Sequence, residues 1–293
     1  MDGELVSQPR FIALVALALL AFGGVAQADD DPRNYFALPD PVELDGVRIE
    51  FREAWAENDY IKVKVAIVND SADYIFFHKN EAEFDGDFGT LAAHGGKKKK
   101  PLIVAPKKSK NHTWKVDGES GFLVKDFEMK LEGFYRVNSD GEVVQAPNFQ
   151  LPASRNDFEA GPFRCKLAEK VYQETKETRA AFECTYKGES IGWVDSAMLG
   201  VKVGKASEES KKSAEGMEFA NDDKMPKKKM LKPGDKARFA GYFHIEYRTT
   251  DMQHSVLQVV WRNTFTESKI EPLDVEEVEF EFDAALTREK TED

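Results

Sequence analysis

The chain has 293 residues, of which 41% are hydrophobic and 32% are charged, and this composition predicts a soluble globular protein with room for two domains. Acidic side chains outnumber basic ones and give a formal net charge of -12 at pH 7. This charge excludes a general affinity for nucleic acid or for anionic lipid surfaces.

The N-terminal segment has the features of a secretory signal. Arg10 precedes an apolar run over 11–22, and Ala26-Gln27-Ala28 matches the small-residue pattern before a cleavage site. The run is shorter than the roughly 20 residues that a membrane-spanning helix requires. We therefore predict a cleaved signal peptide over 1–28, no stable membrane span, and export to the periplasm or the extracellular space.

The first predicted hairpin covers 45–68, after an irregular lead-in over 29–43 that is rich in Asp and Pro. Apolar and polar residues alternate on both sides of a charged turn, which is the pattern of two half-buried antiparallel strands. Further strands of this half are predicted over 73–77, 109–116, 125–135 and 143–151. A long loop rich in Gly and charge is predicted over 81–100.

The same hairpin pattern recurs at 161–186. Its apolar residues match those of the first copy: Phe163, Cys165 and Leu167 replace Val47, Ile49 and Phe51, and Phe182, Cys184 and Tyr186 replace Val63, Val65 and Ile67. Later strands are predicted over 191–194, 198–203, 236–247, 255–263 and 275–282, with a polar interruption over 204–225. Two copies predict two tandem domains, 44–151 and 161–284, with a linker over 152–160 and a charged, frayed tail over 285–293.

Cys165 and Cys184 are the two cysteines of the chain. Their midpoint falls between Glu174 and Thr175, in the polar turn of the second hairpin, so a regular hairpin sets them directly opposite each other. Because an exported protein folds in an oxidising compartment, we predict a cross-strand disulfide with a structural role. A pair of buried free thiols is the alternative.

Many short strands, frequent turn signals and little helical periodicity predict an all-β protein with two tandem antiparallel β-sandwiches. In the second half, Leu231-Lys232-Pro233-Gly234-Asp235 runs into a long predicted strand over 237–243. In the first half, Ala105-Pro106-Lys107-Lys108 holds the corresponding place. This arrangement behind an export signal resembles the immunoglobulin-like modules of bacterial exported proteins, of the telokin-like type. The resemblance implies immunoglobulin-like domains, and it brings no catalytic residue and no cofactor with it.

The sharpest pattern for enzymatic chemistry is Gly188-Glu189-Ser190-Ile191-Gly192, a G-x-S-x-G sequence followed by acidic residues and then by His244 or His254. A serine hydrolase that uses Ser190 is therefore one alternative. The motif requires a sharp strand-to-helix turn above a parallel sheet, whereas β-prone residues and glycines follow Ser190. We expect a turn between two strands and no catalytic residue here.

Metal binding has no strong signature in the sequence. The five histidines, His78, His94, His112, His244 and His254, show none of the short spacings of zinc sites. The acidic residues around Gly86, namely Glu81, Glu83, Asp85 and Asp87, offer oxygen ligands suited to calcium but lack EF-hand spacing. We expect a solvated acidic loop and no metal site, with calcium-dependent adhesion as an alternative.

Lysines cluster within 97–110 and form the candidate binding patch. They are Lys97, Lys98, Lys99, Lys100, Lys107, Lys108 and Lys110. Such a cluster can hold an anionic glycan, a lipid head group or an acidic protein through charge-assisted contacts. No aromatic residues alternate with these lysines, as they would on a surface that stacks nucleic-acid bases. The alternative is a solvated loop whose charges keep a sheet edge from pairing.

The tryptophans lie on or beside predicted strands; they are Trp55, Trp114, Trp193 and Trp261. Packing in the core or at a strand edge is their expected role, and stacking on sugar rings is the alternative. Since no catalytic pattern holds, we predict a non-enzymatic exported protein that binds or positions another macromolecule through its sandwich loops. The predicted partner is an unknown protein or an anionic glycan of the cell envelope.

Overall fold

The structure is a computed structural model that describes residues 32–94, 100–119, 122–206, 215–245, 250–274 and 276–292. The predicted all-β class is confirmed, because antiparallel strands dominate these ranges and their sheets enclose buried apolar side chains as in a β-sandwich. In the described part of the chain, the one α-helix is α1, Ala284–Glu292.

The strands of the N-terminal half are β1 (Asn34–Tyr35), β2 (Val42–Leu44), β3 (Val47–Ala56), β4 (Tyr60–Asn69), β5 (Tyr74–Phe77), β6 (Glu83–Asp85), β7 (Leu91–Ala92), β8 (Leu102–Val104), β9 (Lys108–Asp117), β10 (Asp126–Lys130), β11 (Phe134–Val137), β12 (Glu142–Val143) and β13 (Phe149–Leu151). Those of the C-terminal half are β14 (Asp157–Ala160), β15 (Phe163–Leu167), β16 (Tyr172–Gln173), β17 (Glu177–Tyr186), β18 (Ile191–Asp195), β19 (Leu199–Ala206), β20 (Glu218–Ala220), β21 (Lys228–Leu231), β22 (Lys236–His244), β23 (Ser255–Trp261), β24 (Phe265–Ser268), β25 (Ile270–Pro272) and β26 (Glu277–Glu281).

One pairing scheme occurs twice along the chain. A hairpin, β3 with β4 in the N-terminal half and β15 with β17 in the C-terminal half, takes a third strand, β9 or β22, on its second member. Two four-stranded sheets complete each half. Their orders are β25-β11-β5-β8 and β26-β10-β6-β7 for the N-terminal half, and β12-β24-β18-β21 and β13-β23-β19-β20 for the C-terminal half.

The edge strands of these four-stranded sheets are exchanged between the two halves. β12 and β13 follow β11 in the chain but pair with β24 and β23 of the C-terminal half. β25 and β26 follow β24 but pair with β11 and β10 of the N-terminal half. Each half therefore completes two of its sheets with strands that the other half supplies.

The exchange brings segments 134–143 and 265–272 together in one antiparallel arrangement, the crossover ladder. β11 pairs with β25 at one end of this ladder, and β12 pairs with β24 at the other end. Between them, the Ser268 hydroxyl donates to the Asn138 carbonyl over 2.5 Å. The Trp193 indole N–H donates in turn to the Ser268 oxygen over 2.8 Å, which ties β18 to the same point.

Two cores carry most of the buried apolar surface. The first core is formed by buried side chains of 36–134 together with residues of β26, and the second by buried side chains of 149–265, including Phe149 of β13. Phe280 of β26 is fully buried and stacks on Phe127, with ring centroids 4.6 Å apart. Burial of such a ring stabilises the fold by about 1.5–3 kcal/mol, so each exchanged strand is held by the core that it enters.

The strand pairing crosses the predicted domain boundaries. The division into 44–151 and 161–284 stays a prediction, but 142–151 pairs with the C-terminal half and 270–281 with the N-terminal half. The linker predicted over 152–160 must be corrected, because Asp157–Ala160 form β14 on the edge of the second hairpin.

Both ends of the described chain are more regular than the sequence predicts. The lead-in 29–43 contains β1 and the start of β2. The tail 285–293 is not frayed over its described part, since it forms most of α1. The Asp283 carboxylate caps this helix by accepting from the backbone N–H groups of Ala285 and Leu286, each at 2.9 Å.

The two hairpins differ in register. In the first hairpin Ile49 lies opposite Ile67 and not opposite Val65, because the tight turn falls between Glu57 and Tyr60. In the second hairpin Cys165 lies opposite Cys184, and the two form the predicted disulfide bond. The pair Ile49–Ile67 thus corresponds to the disulfide pair, so the counterpart of Cys184 is Ile67 and not Val65, as the sequence match has it.

No helix in the described ranges is both long enough and apolar enough to span a membrane. The predicted signal peptide over 1–28 lies outside these ranges, as does much of the polar interruption, over 207–214.

Removal of the disulfide is expected to destabilise the protein. A Cys165→Ala/Cys184→Ala double variant should lose about 3 kcal/mol of unfolding free energy, because the bond closes a short loop in the unfolded chain. Urea unfolding followed by tryptophan fluorescence measures this loss, and reduced wild-type protein should match the variant. An unchanged urea midpoint would show that the bond adds no stability.

Truncation of an exchanged strand's core side chain should destabilise the half that it joins. We expect Phe280→Ala to cost about 3–5 kcal/mol, because a fully buried ring is replaced by a cavity. Hydrogen exchange should speed up in β10, its pairing partner. Ile270→Ala is the matched control, since Ile270 lies in the other exchanged strand but is 40% exposed. Equal effects of the two substitutions would contradict this account of the exchange.

Candidate functional site

A groove of about 890 Å³ lies over β16, β17 and β22 in the C-terminal half. Its floor holds three residues directly opposite one another on adjacent strands, Tyr172, Arg179 and Tyr242, which we name the tyrosine row. The two tyrosines are 44% and 38% exposed. The Arg179 guanidinium lies 5.3 Å from the centroid of the Tyr242 ring, in a cation–π contact. The row therefore offers aromatic and planar cationic groups side by side.

Strand alternation places these side chains on the outer face. In β22, Phe243 is buried while Tyr242 and His244 face outward, and in β17 Thr178 is buried while Arg179 faces outward. Because neighbouring strands are in register, the outward residues form rows across the sheet. The groove is thus built on a sheet whose other face belongs to the second core.

One wall of the groove is fixed by Asn221. Its side-chain amide donates to the Ala240 carbonyl over 3.2 Å, and its side-chain oxygen accepts from the backbone N–H groups of Tyr242 at 2.9 Å and Asp223 at 3.1 Å. The Asp222 N–H also donates to the Tyr242 carbonyl over 2.7 Å. These bonds hold the acidic loop after β20 against the edge of β22.

The charges of the groove nearly balance. Its lining includes four carboxylates and three cations, namely Glu169, Glu177, Asp222, Asp223, Lys170, Arg179 and Lys224. The Glu169 carboxylate bridges two cations, with one oxygen 3.0 Å from Arg179 Nη2 and the other 2.9 Å from Arg238 Nη2. This pairing orients the guanidinium of Arg179 beside the ring of Tyr242.

The phenol of Tyr172 is held in its neutral form. A hydrogen bond to the Glu174 carboxylate raises the pKa of Tyr172 to about 12, and the negative charge of Glu177 acts in the same direction. The groove therefore presents two tyrosine rings with several carboxylate acceptors and guanidinium or ammonium donors around them. Such a set can pack on an apolar ring face and hydrogen-bond to hydroxyl groups at the same time.

Sequence reasoning missed the two tyrosines of the groove. It considered sugar stacking on tryptophan, but all four tryptophans are buried, with exposures between 1% and 8%, and the expected packing role is confirmed. A signal for Tyr242 was present, because it occupies an outward position in the alternation of 237–243. Tyr172 had no such signal, since its strand has two residues.

The lysine patch is not part of the groove. Lys97, Lys98 and Lys99 lie outside the described residues. Lys107 precedes β9 with a positive φ of 56°, and its ammonium donates to the Asp70 carbonyl. Lys108 and Lys110 are exposed on β9, and Lys100 is exposed just before β8. Lys107, Lys108 and Lys110 therefore lie together at the start of β9, in the N-terminal half.

Ser190 lies in the turn between β17 and β18, as the sequence predicts. Its hydroxyl donates to the Glu267 carboxylate over 2.9 Å and lies 3.1 Å from the Tyr186 hydroxyl. The Tyr186 hydroxyl also donates to Glu267. Because the turn leads from β17 into β18, a strand of another sheet, it lacks the strand-to-helix geometry that exposes the serine of a hydrolase. The G-x-S-x-G sequence thus gains no support from its structural context.

The acidic residues considered for calcium lie partly on strands. Glu83 and Asp85 belong to β6, and Glu128 of β10 lies opposite Asp85 on one side and Glu279 on the other. A hydrogen bond with Glu277 raises the pKa of Glu128, and the nearby negative charges add to the effect. Within the described ranges, no group of three or more His, Cys, Asp or Glu side chains is arranged to hold a metal ion.

No family model and no curated protein match the chain. Among solved structures, the chain is similar to the secreted serine protease VesC from Vibrio cholerae, with 10% sequence identity and a TM-score of 0.19. The alignment covers 71% of this chain and 48% of that protein, so the chain spans about half of its length. A similarity at this TM-score carries no argument about fold or activity.

A half-buried histidine, His112, lies on the strand that carries the lysines. The ring of His112 packs edge-on against Phe77 and Trp114, at centroid distances of 5.3 Å and 5.1 Å. Burial lowers the pKa of His112 to about 4, and the positive charge of Lys79 adds to the effect. Its Nε2 atom has no hydrogen-bond partner among the described residues. The imidazole is therefore neutral in the folded protein at neutral pH.

Acidification should destabilise the fold through His112. The folded-state pKa lies below the ordinary value of 6.5, so the unfolded chain binds the proton first, and stability is lost as the pH falls from about 6.5 to about 4. One such group contributes at most about 2 kcal/mol of this loss at pH 5. We expect His112→Phe to show a smaller drop in Tm than wild type between pH 7 and pH 5.

The control for this titration is His94→Gln, because His94 is exposed. This variant should follow the wild-type curve. If His112→Phe and wild type lose the same Tm over that range, the imidazole of His112 does not set the acid sensitivity.

Proposed function

We propose that this protein is an exported, non-catalytic binding protein whose groove over β16, β17 and β22 binds a carbohydrate. The tyrosine row is the observation that carries the proposal. A pyranose ring presents C–H groups on its faces and hydroxyl groups around its rim. Aromatic faces attract the C–H groups, and charged planar groups bind pairs of hydroxyls.

The arrangement of Tyr172, Arg179 and Tyr242 suits this kind of ligand. The two half-exposed rings lie on either side of Arg179, so a sugar chain lying along the row can contact both rings in succession. The Glu169 carboxylate holds Arg179 in place at 3.0 Å, which reduces the conformational freedom that binding would otherwise remove.

The electrostatics of the groove favour a neutral saccharide. Four carboxylates and three cations line it, so neither an anionic nor a cationic ligand gains a strong net attraction. Its volume of about 890 Å³ lies in the range of small-molecule sites, which is about 300–1,000 Å³. A short oligosaccharide fits this space better than an extended protein surface does.

Export is supported by two features. The disulfide between Cys165 and Cys184 is typical of proteins that fold in an oxidising compartment. The sequence over 1–28 has the charged, apolar and small-residue regions of a secretory signal. A carbohydrate of the cell envelope or of the surroundings would then be within reach of the groove.

Binding to a panel of neutral oligosaccharides tests the proposal, with cello-, chito- and manno-oligosaccharides as the probes and saturation-transfer NMR as the readout. Tyr172→Ala and Tyr242→Ala should each weaken binding by about fivefold, because one stacked ring contributes on the order of 1 kcal/mol. Tyr172→Phe should retain most of the affinity if ring stacking dominates.

Tyr60→Ala is the matched control, since Tyr60 lies on β4 in the N-terminal half and forms a cation–π contact with Lys62 at 4.2 Å. This variant should bind as wild type does. Absence of binding to every oligosaccharide, or equal losses in Tyr60→Ala and Tyr242→Ala, would overturn the proposal.

A further inference from the structure

β9 is a long strand at the edge of its sheet. It spans Lys108–Asp117 and pairs with β4 on one side, at the end of the order β1-β3-β4-β9. In an antiparallel ladder, alternate residues point their backbone groups away from the partner strand. The Lys115 carbonyl is one of these, because it accepts from the His94 N–H over 2.7 Å and not from β4.

The same alternation turns Ser109, Asn111 and Thr113 outward. Among the described residues, the backbone N–H and C=O groups of these three have no hydrogen-bond partner. His94 covers the end of β9 near Asp117, so within the part of the chain that the structure describes the open part of the edge is its first half. Unpaired donors and acceptors in this spacing form a template for one more strand.

The corresponding edge in the C-terminal half is covered. In β22 the Arg238 carbonyl accepts from Lys229 Nζ over 2.6 Å, and the Ala240 carbonyl accepts from the Asn221 amide over 3.2 Å. Asn221 also accepts from the Tyr242 N–H. Because β9 and β22 occupy the same place in the pairing scheme, the difference between the covered β22 edge and the β9 edge comes from the side chains beside each strand.

The covering side chains have no equivalents beside β9. The hydrogen bond from the His94 N–H to the Lys115 carbonyl corresponds to the bond from the Asp222 N–H to the Tyr242 carbonyl. His94 is therefore the counterpart of Asp222, and the preceding residue, Ala93, is the counterpart of Asn221. With Pro106 aligned to Pro233, Leu102 takes the place of Lys229. Alanine and leucine cannot bond to backbone groups through their side chains, so the covering device is missing from the described N-terminal half.

Charge decides which strand can add to this edge. Lys108 and Lys110 are exposed on the open half of β9, and Lys100 and Lys107 lie close to it in sequence. Two copies of this chain pairing through β9 would bring these lysines together, and like charges across a ladder are destabilising. A segment with carboxylates at alternate positions would instead pair with them on one face.

We propose that the open half of β9, at Ser109, Asn111 and Thr113, binds an extended acidic segment of a partner protein by strand addition. Backbone hydrogen bonds supply the part of the affinity that does not depend on the sequence of the added strand. Lys108 and Lys110 supply the specificity, because they select carboxylates at alternate positions of that strand. This surface is separate from the groove, so the inference does not depend on carbohydrate binding.

The test uses a fluorescent heptapeptide of the sequence Thr-Glu-Val-Glu-Val-Glu-Thr and its counterpart with Lys in place of Glu. Anisotropy titration of the full protein should detect the acidic peptide alone. A Lys108→Gln/Lys110→Gln variant should bind about threefold to tenfold more weakly, as expected for the loss of two exposed ion pairs. Lys236→Gln on the covered β22 edge is the matched control and should bind as wild type does.

Strand addition is separated from simple charge attraction by a second pair of variants. Asn111→Pro removes an outward N–H without removing a bond to β4, so it should abolish peptide binding, whereas Asn111→Ala should retain it. Bound peptide should also slow hydrogen exchange at 109, 111 and 113 in the wild-type protein, a readout that remains available if the proline variant fails to fold.

The proposal is overturned if the acidic peptide does not bind, or if it binds without protecting 109, 111 and 113. It is also overturned if the Asn111→Pro variant folds and still binds. A concentration-dependent dimer of the free protein that Asn111→Pro dissolves would assign the edge to a second copy of this chain and would make the choice of an acidic partner wrong.

Discussion

The crossover ladder between 134–143 and 265–272 is the constraint on which the rest of the structure depends. Through it, each half gives two edge strands to the other, so neither core is complete without chain from both halves. Gly141 shows how tight the crossing is, because a Cβ there would lie 2.4 Å from the Glu267 carbonyl oxygen. The exchange explains why residues 32–293 form one compact unit although their pairing scheme occurs twice.

The repeated scheme carries different surfaces in its two halves. The β15–β17–β22 sheet turns two tyrosines and a guanidinium outward and forms a groove, while its β22 edge is covered by Asn221 and Lys229. The β3–β4–β9 sheet leaves half of its β9 edge open and places lysines beside it. A buried core restricts the apolar positions of both halves alike, whereas edges and outer faces tolerate different side chains. The two halves can therefore contact different partners.

Basic and acidic side chains also cluster on different parts of the surface. Although the chain is acidic overall, Lys107, Lys108 and Lys110 lie together at the start of β9, and carboxylates lie together on β6, β10 and β26, where Glu128 is opposite Asp85 and Glu279. The groove combines both signs with exposed aromatic rings. A local balance of charge in an acidic protein favours ligands recognised by shape and hydroxyl groups, and a local excess of lysine favours carboxylates.

The sequence by itself determined the all-β class and the pairing of Cys165 with Cys184, because period-2 alternation and the centre of a hairpin turn are local properties of the chain. It did not predict β24 and β25, because Phe265–Pro272 is short and rich in charge. These strands form through their partners, which are β12 and β18 for β24 and β11 for β25. Tertiary structure alone decided the exchange of β12, β13, β25 and β26. The alternation of apolar and polar residues in a strand is the same whichever core the strand enters. For the same reason, only the fold brought Tyr242 beside Arg179 and Tyr172, because β22 lies far along the chain from the hairpin that carries the other two residues.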